Sequence, residues 1–109
     1  MDTETERIAR LFLTLVSDHY DVAGALLFGS RARHDGANDS DADIAVLLRG
    51  VPGARADAAV AMAGIAFDVM LETGVLVDAI PFWEQEWNHP DQFSNPALIA
   101  NILRDGVAL

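Results

Sequence analysis

Cysteine is absent from the 109 residues, which excludes disulfides and thiolate metal sites. Positive charge is scarce: seven basic residues against 17 acidic ones leave a formal net charge of −10 at pH 7. Phosphate backbones are bound through neutralisation by Lys and Arg, so this balance argues against nucleic acid as a direct partner and suits a basic protein instead. Long apolar runs are missing too, and none reaches the roughly eighteen residues that a membrane span requires. The acidic start Met1-Asp-Thr-Glu-Thr-Glu6 has neither the basic region nor the apolar core of a signal peptide, so the expected location is cytoplasmic. No internal repeat or low-complexity tract interrupts the chain.

What is present is apolar: 51% of the residues are hydrophobic, enough for one modest core, and residues 1–109 are expected to form a single domain. Thr3-Glu-Thr-Glu6 has the pattern of a capping box. Behind it Ile8, Leu11, Phe12, Leu15 and Val16 recur at helical spacing, predicting a first helix that ends near Tyr20. Ala23–Phe28 and Ile44–Leu48 read as buried strands, and Arg49-Gly-Val-Pro-Gly53 as a loop. From Asp57 to Glu72 the polar or small positions fall at 57, 61, 64, 68 and 72, one solvent-facing stripe of a helix that Gly74 stops. Val75–Ile80 is expected to be the next strand, punctuated by Pro81, after which Trp83 and Trp87 would share a helix face, in the core or at a partner interface. Asn95-Pro96 starts a last helix with a buried stripe of Leu98, Ile99, Ile102 and Leu103, ended by Gly106.

The chemistry concentrates between the first two strands. Gly29-Ser30 follows the first, and ten residues later Asp41-Ala-Asp43 opens the second. Gly29 permits a sharp turn whose free N–H groups would face a triphosphate, with Ser30 beginning a short helix through Arg33. Strand alternation sets Asp41 and Asp43 on one face and Ala42 on the other. Two like charges held that close call for a divalent cation, and magnesium fits, being held by one or two carboxylates with substrate phosphates completing its shell. A two-metal scheme needs a third carboxylate. Asp78 interrupts an apolar strand, so it faces either a metal or the solvent edge of the sheet, and the metal is the favoured reading. It would then act as general base or as a ligand of the ion. Arg31 and Arg33 stand beside the phosphate turn, either to neutralise pyrophosphate or as surface salt bridges, and His34 and Asp35 lie in the loop before the aspartates.

Leu27-Phe-Gly-Ser-Arg-Ala-Arg33 followed by Asp39-Ser-Asp-Ala-Asp-Ile-Ala-Val46 resembles the DNA polymerase beta-like nucleotidyltransferases, and within them the minimal, MNT-type group. The segment Asn95–Val107 and the order of elements resemble that group as well. The resemblance implies an α+β fold, a small mixed sheet of three or four strands flanked by helices. It implies Asp41, Asp43 and Asp78 as catalytic and Mg2+-binding residues and Gly29, Ser30, Arg31 and Arg33 as nucleotide-binding ones. Asp68, in Ala66-Phe-Asp-Val-Met70, superficially resembles the family's third aspartate and is the alternative to Asp78. Members are often antitoxins that transfer AMP from ATP to a tyrosine of a HEPN-domain ribonuclease toxin, so ATP and such a toxin are the implied co-substrate and partner. The rival readings are a non-catalytic antitoxin that blocks a basic toxin by binding, and a small-molecule nucleotidyltransferase completed by a helical subunit. Oligomeric state has no signal in the sequence.

Overall fold

In the computed structural model, which describes residues 2–33 and 41–109, the chain runs α1 (Thr3–Ser17), β1 (Val22–Phe28), α2 (Gly29–Arg33), β2 (Ala42–Leu48), α3 (Arg55–Thr73), β3 (Val77–Trp83), α4 (Glu84–Asn88), a 3-10 turn (Pro90–Gln92), α5 (Pro96–Asp105) and β4 (Val107–Ala108). The strands form one mixed sheet in the order β3-β2-β1-β4, with β1 antiparallel to both neighbours and β2 parallel to β3. This is the α+β architecture that the sequence predicts.

Alternation along each strand feeds two cores. Ala42, Ile44, Val46 and Leu48 of β2, with Ala25 and Leu27 of β1, pack against Ile8, Phe12 and Val16 of α1 and Ala58, Met62, Ala66 and Val69 of α3. On the opposite face Ala45 and Phe82 meet Ile99 and Ile102 of α5, with Trp87 and Phe93 closing over them. Phe82 lies 5.3 Å from the Trp87 ring in an edge-on contact. Among the described residues no helix is long and apolar enough to cross a membrane.

Several sequence expectations need correction. Asp2, not Thr3, caps α1: its Oδ1 accepts from the Thr5 amide at 2.7 Å, and the helix ends at Ser17. β3 starts at Val77 and continues through Pro81, which lies opposite Val46. Proline is tolerated there because β3 is an edge strand and needs no N–H on its free side. Trp83 therefore ends a strand and is buried against the α1/α3 core, whereas Trp87 sits on α4 over the other core; the two do not share a helix face. Leu103 is exposed, so the buried stripe of α5 is narrower than predicted. The two-residue β4, paired with Leu26 and Leu27, has no sequence signal. A side chain at Gly106 would collide with the Ile102 carbonyl, so only glycine lets the chain leave α5 tightly enough to make that pairing.

Arg55, at the start of α3, ties the β3 edge to α4. Its guanidinium donates to the Pro81 carbonyl at 2.6 Å, pairs with Glu86, and lies over the rings of Trp83 and Phe93. Glu86 also accepts from the Trp83 amide at 3.1 Å. Replacing Arg55 by Ala removes a cation from a half-buried carboxylate and leaves a strand carbonyl without its donor. The expected loss is on the order of 2 kcal/mol, measurable as a lower urea midpoint at unchanged slope. An unchanged midpoint would show that this cluster only decorates the surface.

Candidate active site

The site is assembled by strand register. Phe28 pairs with Asp43 across the antiparallel β1/β2 ladder, and Asp43 pairs with Asp78 across the parallel β2/β3 ladder. These three positions share the sheet face that α5 covers, since their neighbours Ala45 and Phe82 on the same alternation belong to the α5 core. Asp41 immediately precedes β2 and is exposed, and Ala42 between the aspartates is fully buried toward α1 and α3. A small apolar residue at 42 is what the opposite core requires.

Immediately after β1, Gly29 has φ 74°, the left-handed region in which L side chains are strained. A Cβ at this position would collide with the Asp43 carboxylate. The glycine is thus required twice, for the turn into α2 and for the close approach of the backbone to the carboxylate. Ser30 follows in α2, half-buried.

Electrostatics link the carboxylates. Partial burial, then the charge of Asp78, then that of Asp41 push the Asp43 carboxyl above its ordinary range, with Arg33 opposing them. Asp43 is therefore the centre of a negative cluster with two flanking carboxylates and one nearby cation. Hard oxygen donors in this surplus fit a magnesium ion, which is held by one or two carboxylates and completes its shell from phosphates and water. Among the described residues no group of three acidic or imidazole side chains is placed to hold a metal ion, so the binding mode left to the site is a carboxylate pair completed by phosphates and water. Asp78 lies on an edge strand and is exposed, the solvent-edge alternative drawn from the sequence, and it stands abreast of Asp43. Asp68 lies on the outer face of α3 with Asp57, Ala61, Gly64 and Glu72, all exposed as the periodicity predicts.

The two arginines diverge. Arg31 is buried, and its Nη1 donates to Thr5 Oγ1 at 2.8 Å, while that hydroxyl donates to Asp2 Oδ2 at 3.0 Å. The Thr5 amide and then its hydroxyl hold the Asp2 carboxyl below its usual range. Arg31 thus pins α2 to the start of α1. Arg33 is exposed at the end of α2, within electrostatic reach of Asp43 and of Asp105. A cavity of about 290 Å³ opens beside it between α2 and α5, lined by Gly29, Arg33, Asn101, Arg104 and Asp105 among others. Sequence reasoning missed Asn101 and Arg104, because two polar residues on an exposed helix face carry no distinguishing signal. His34, Asp35 and Asp39 lie outside the described residues.

A glycine turn under a carboxylate, with two further carboxylates coupled to it at the strand ends of a mixed α+β sheet, is in keeping with a nucleotidyltransferase type of fold. The family model described as "Polymerase beta, Nucleotidyltransferase" matches residues 13–78, and the chain belongs to that family. Among solved structures it is similar to a protein from Sulfolobus solfataricus assigned as a nucleotidyltransferase, at 23% identity over 96% of this chain and 81% of that one, with a TM-score of 0.59. It is also similar to a toxin-antitoxin with AMP-PNP (20% identity, 91% of this chain and 69% of that one, TM-score 0.64). A third similar structure is a mutant of the toxin-antitoxin MntA-HpeT (18% identity, 95% and 70%, TM-score 0.59). At these identities the likeness is one of fold. No curated protein matches at a significant level.

Neutralising Asp43 should stabilise the ligand-free chain. Its raised pKa means that ionising the carboxyl costs folding energy, a cost present above the folded-state pKa and absent below the unfolded value of 3.8. Asp43→Asn is therefore expected to raise the melting temperature at pH 7. The gain should shrink as pH falls toward 3.8. Thermal melts of both proteins across pH 3–8 give the comparison, and a lower melting temperature for the variant at pH 7 would contradict the repulsion. Gly29→Ala should lose about 1–3 kcal/mol in the same melts, from the strained φ and the collision.

Proposed function

We propose that this chain is a single minimal nucleotidyltransferase domain that transfers AMP from ATP to a hydroxyl, a tyrosine in this reading, of a HEPN-type ribonuclease toxin and thereby neutralises it. The observation that carries the reading is the electrostatic coupling of Asp41 and Asp78 to Asp43 directly over the Gly29 turn. Family membership supports nucleotidyl transfer, and the two similar toxin-antitoxin structures, one with an ATP analogue, support the antitoxin role.

In the reaction the acceptor oxygen attacks the α-phosphorus of ATP. A new oxygen–phosphorus bond forms, the bond from the α-phosphorus to the bridging oxygen breaks, and pyrophosphate leaves. Asp78 takes the hydroxyl proton, a role open to an exposed carboxylate at the sheet edge. Gly29 and Ser30 hold the triphosphate through backbone N–H groups and a hydroxyl, and Arg33, at the mouth of the α2/α5 cavity, offsets charge on the departing pyrophosphate. Asp41 and Asp43 would hold Mg2+, with Asp78 beside them as the proton acceptor. When bound, the ion supplies charge neutralisation for the phosphates and lowers the pKa of the attacking hydroxyl.

Co-expression with a candidate helical toxin, followed by intact-mass measurement of that toxin, tests the proposal. The unaltered chain should add one or more AMP units, and Asp43→Ala should reduce the addition on the order of 10³-fold while leaving the domain folded. A toxin that stays unmodified but is bound equally by both forms would instead leave the chain as a blocking antitoxin. Transfer to a small hydroxyl compound with no protein acceptor would point to the small-molecule reading.

A further inference from the structure

Helix α3 has two apolar faces and the molecule covers only one. Ala58, Met62, Ala66 and Val69 are buried against the sheet and α1. On the opposite side Val60, Phe67 and Leu71, at spacings of seven and four, are 72%, 52% and 69% exposed. Ala56, Ala63 and Gly64 fill the gaps between them with small, exposed surface. At 1.5 Å per residue the ridge from Val60 to Leu71 is about 16 Å long. A helix that is apolar on nearly every side is ordinarily covered on every side. One flank of this ridge is acidic, with Asp57, Asp68 and Glu72 all exposed, and the only basic residue on α3 is Arg55, which is engaged at Pro81 and Glu86.

The placement adds direction. Strands β2 and β3 are parallel, so α3 returns the chain from the far end of β2 to the end of the sheet where Asp43 and Asp78 lie. Leu71 is in the last turns of α3, and Leu76, 39% exposed, follows just before β3, its carbonyl accepting from the Ala42 amide between the two aspartates. Apolar surface therefore leads along α3 to the edge strand that carries Asp78.

We propose that this outer face of α3 is a docking seat for an amphipathic helix of a partner protein, an apolar ridge bordered by Lys or Arg. The carboxylate flank selects a basic border, and the net charge of −10 draws such a partner in. A second copy of this chain is the wrong occupant, because it carries the same charge, and two α3 helices packed antiparallel about a twofold axis would set the same carboxylates against one another. A partner so seated is anchored on the side of the sheet opposite Asp43 and Asp78, and a further segment of it would have to carry its hydroxyl around the β3 edge to Asp78. That last step rests on the transferase reading, whereas the docking itself does not.

The test uses as its probe a synthetic amphipathic helix, an apolar ridge bordered by Lys and Arg, with calorimetric titration as the readout; a candidate toxin is then scored for binding and AMP transfer in the same way. Phe67→Glu combined with Leu71→Glu changes only exposed positions, and a melting curve confirms that the variant folds. The expected result is a loss of affinity of at least about 100-fold for this variant, and of about tenfold for Asp68→Lys with Glu72→Lys together with a weaker salt dependence. Asp43→Asn should bind as the unaltered chain does. Equal binding by the Phe67/Leu71 variant, or no binding by the unaltered chain, overturns the docking seat. So does sedimentation showing a dimer of the chain alone that the same variant dissociates, since the face would then belong to a second copy. Absence of AMP on a toxin that binds through α3 counts against the transferase reading and leaves the docking seat intact.

Discussion

Strand register is the constraint on which everything else in the site depends. Phe28, Asp43 and Asp78 lie abreast across three strands, so the turn after β1 and the carboxylates of β2 and β3 arrive at one place. Because side chains alternate with a period of two, a slip of one residue in β2 would drive Asp43 into the α1/α3 core and expose Ala42. The fully buried Ala42, Ile44, Val46 and Leu48 prevent that slip. The apolar half of β2 thus fixes where its charged residues point, and the core does part of the work of the site.

The turn between β1 and α2 is held in place from the other side of the molecule. Arg31 and Arg33, two residues apart on α2, separate into a buried guanidinium joined to Thr5 and Asp2 and an exposed one near Asp43 and Asp105. A short helix of five residues has little intrinsic stability, and its orientation comes from tertiary contacts. Arg31 supplies one of them by linking α2 to the first turn of α1. The orientation of the Gly29 turn therefore depends on a residue near the start of the chain that carries no chemistry of its own.

Much of this was legible in the sequence, and the reasons for the failures are physical. The Asp41/Asp43 pair, the glycine turn and the outward stripe of α3 followed from local periodicity, which local sequence encodes. Pro81 was misjudged because proline stops a strand only where its missing N–H is needed, and whether β3 lies at an edge is a property of the sheet order. Trp83 and Trp87 were placed on one helix because their spacing permits it, yet Trp83 ends a strand whose extent is fixed by pairing with β2. The burial of Arg31 could not be read because its partners, Thr5 and Asp2, are distant in the chain. Strand β4 is two residues long, too short for any periodicity.

The charge distribution gives a common cause to the site and the surface around it. Every basic side chain of the chain is an arginine, and among the described residues Arg10 pairs with Glu6, Arg49 with Asp21, Arg55 with Glu86 and Arg104 with Asp105. Pairs so exposed as Arg10–Glu6 and Arg49–Asp21 contribute little to stability, but they consume the positive charge that would otherwise offset the acidic surplus. Among the other carboxylates, two groups stand together, the cluster around Asp43 and the outer flank of α3. A field of one sign costs the isolated fold some stability through self-repulsion and is relieved only by cations brought from outside. At Asp43, in the proposed reading, the relieving charge would be a small divalent ion, because the carboxylates lie abreast at one place. Along α3 they are spread over several helical turns beside apolar surface, a geometry that an ion cannot satisfy and that an extended basic surface can.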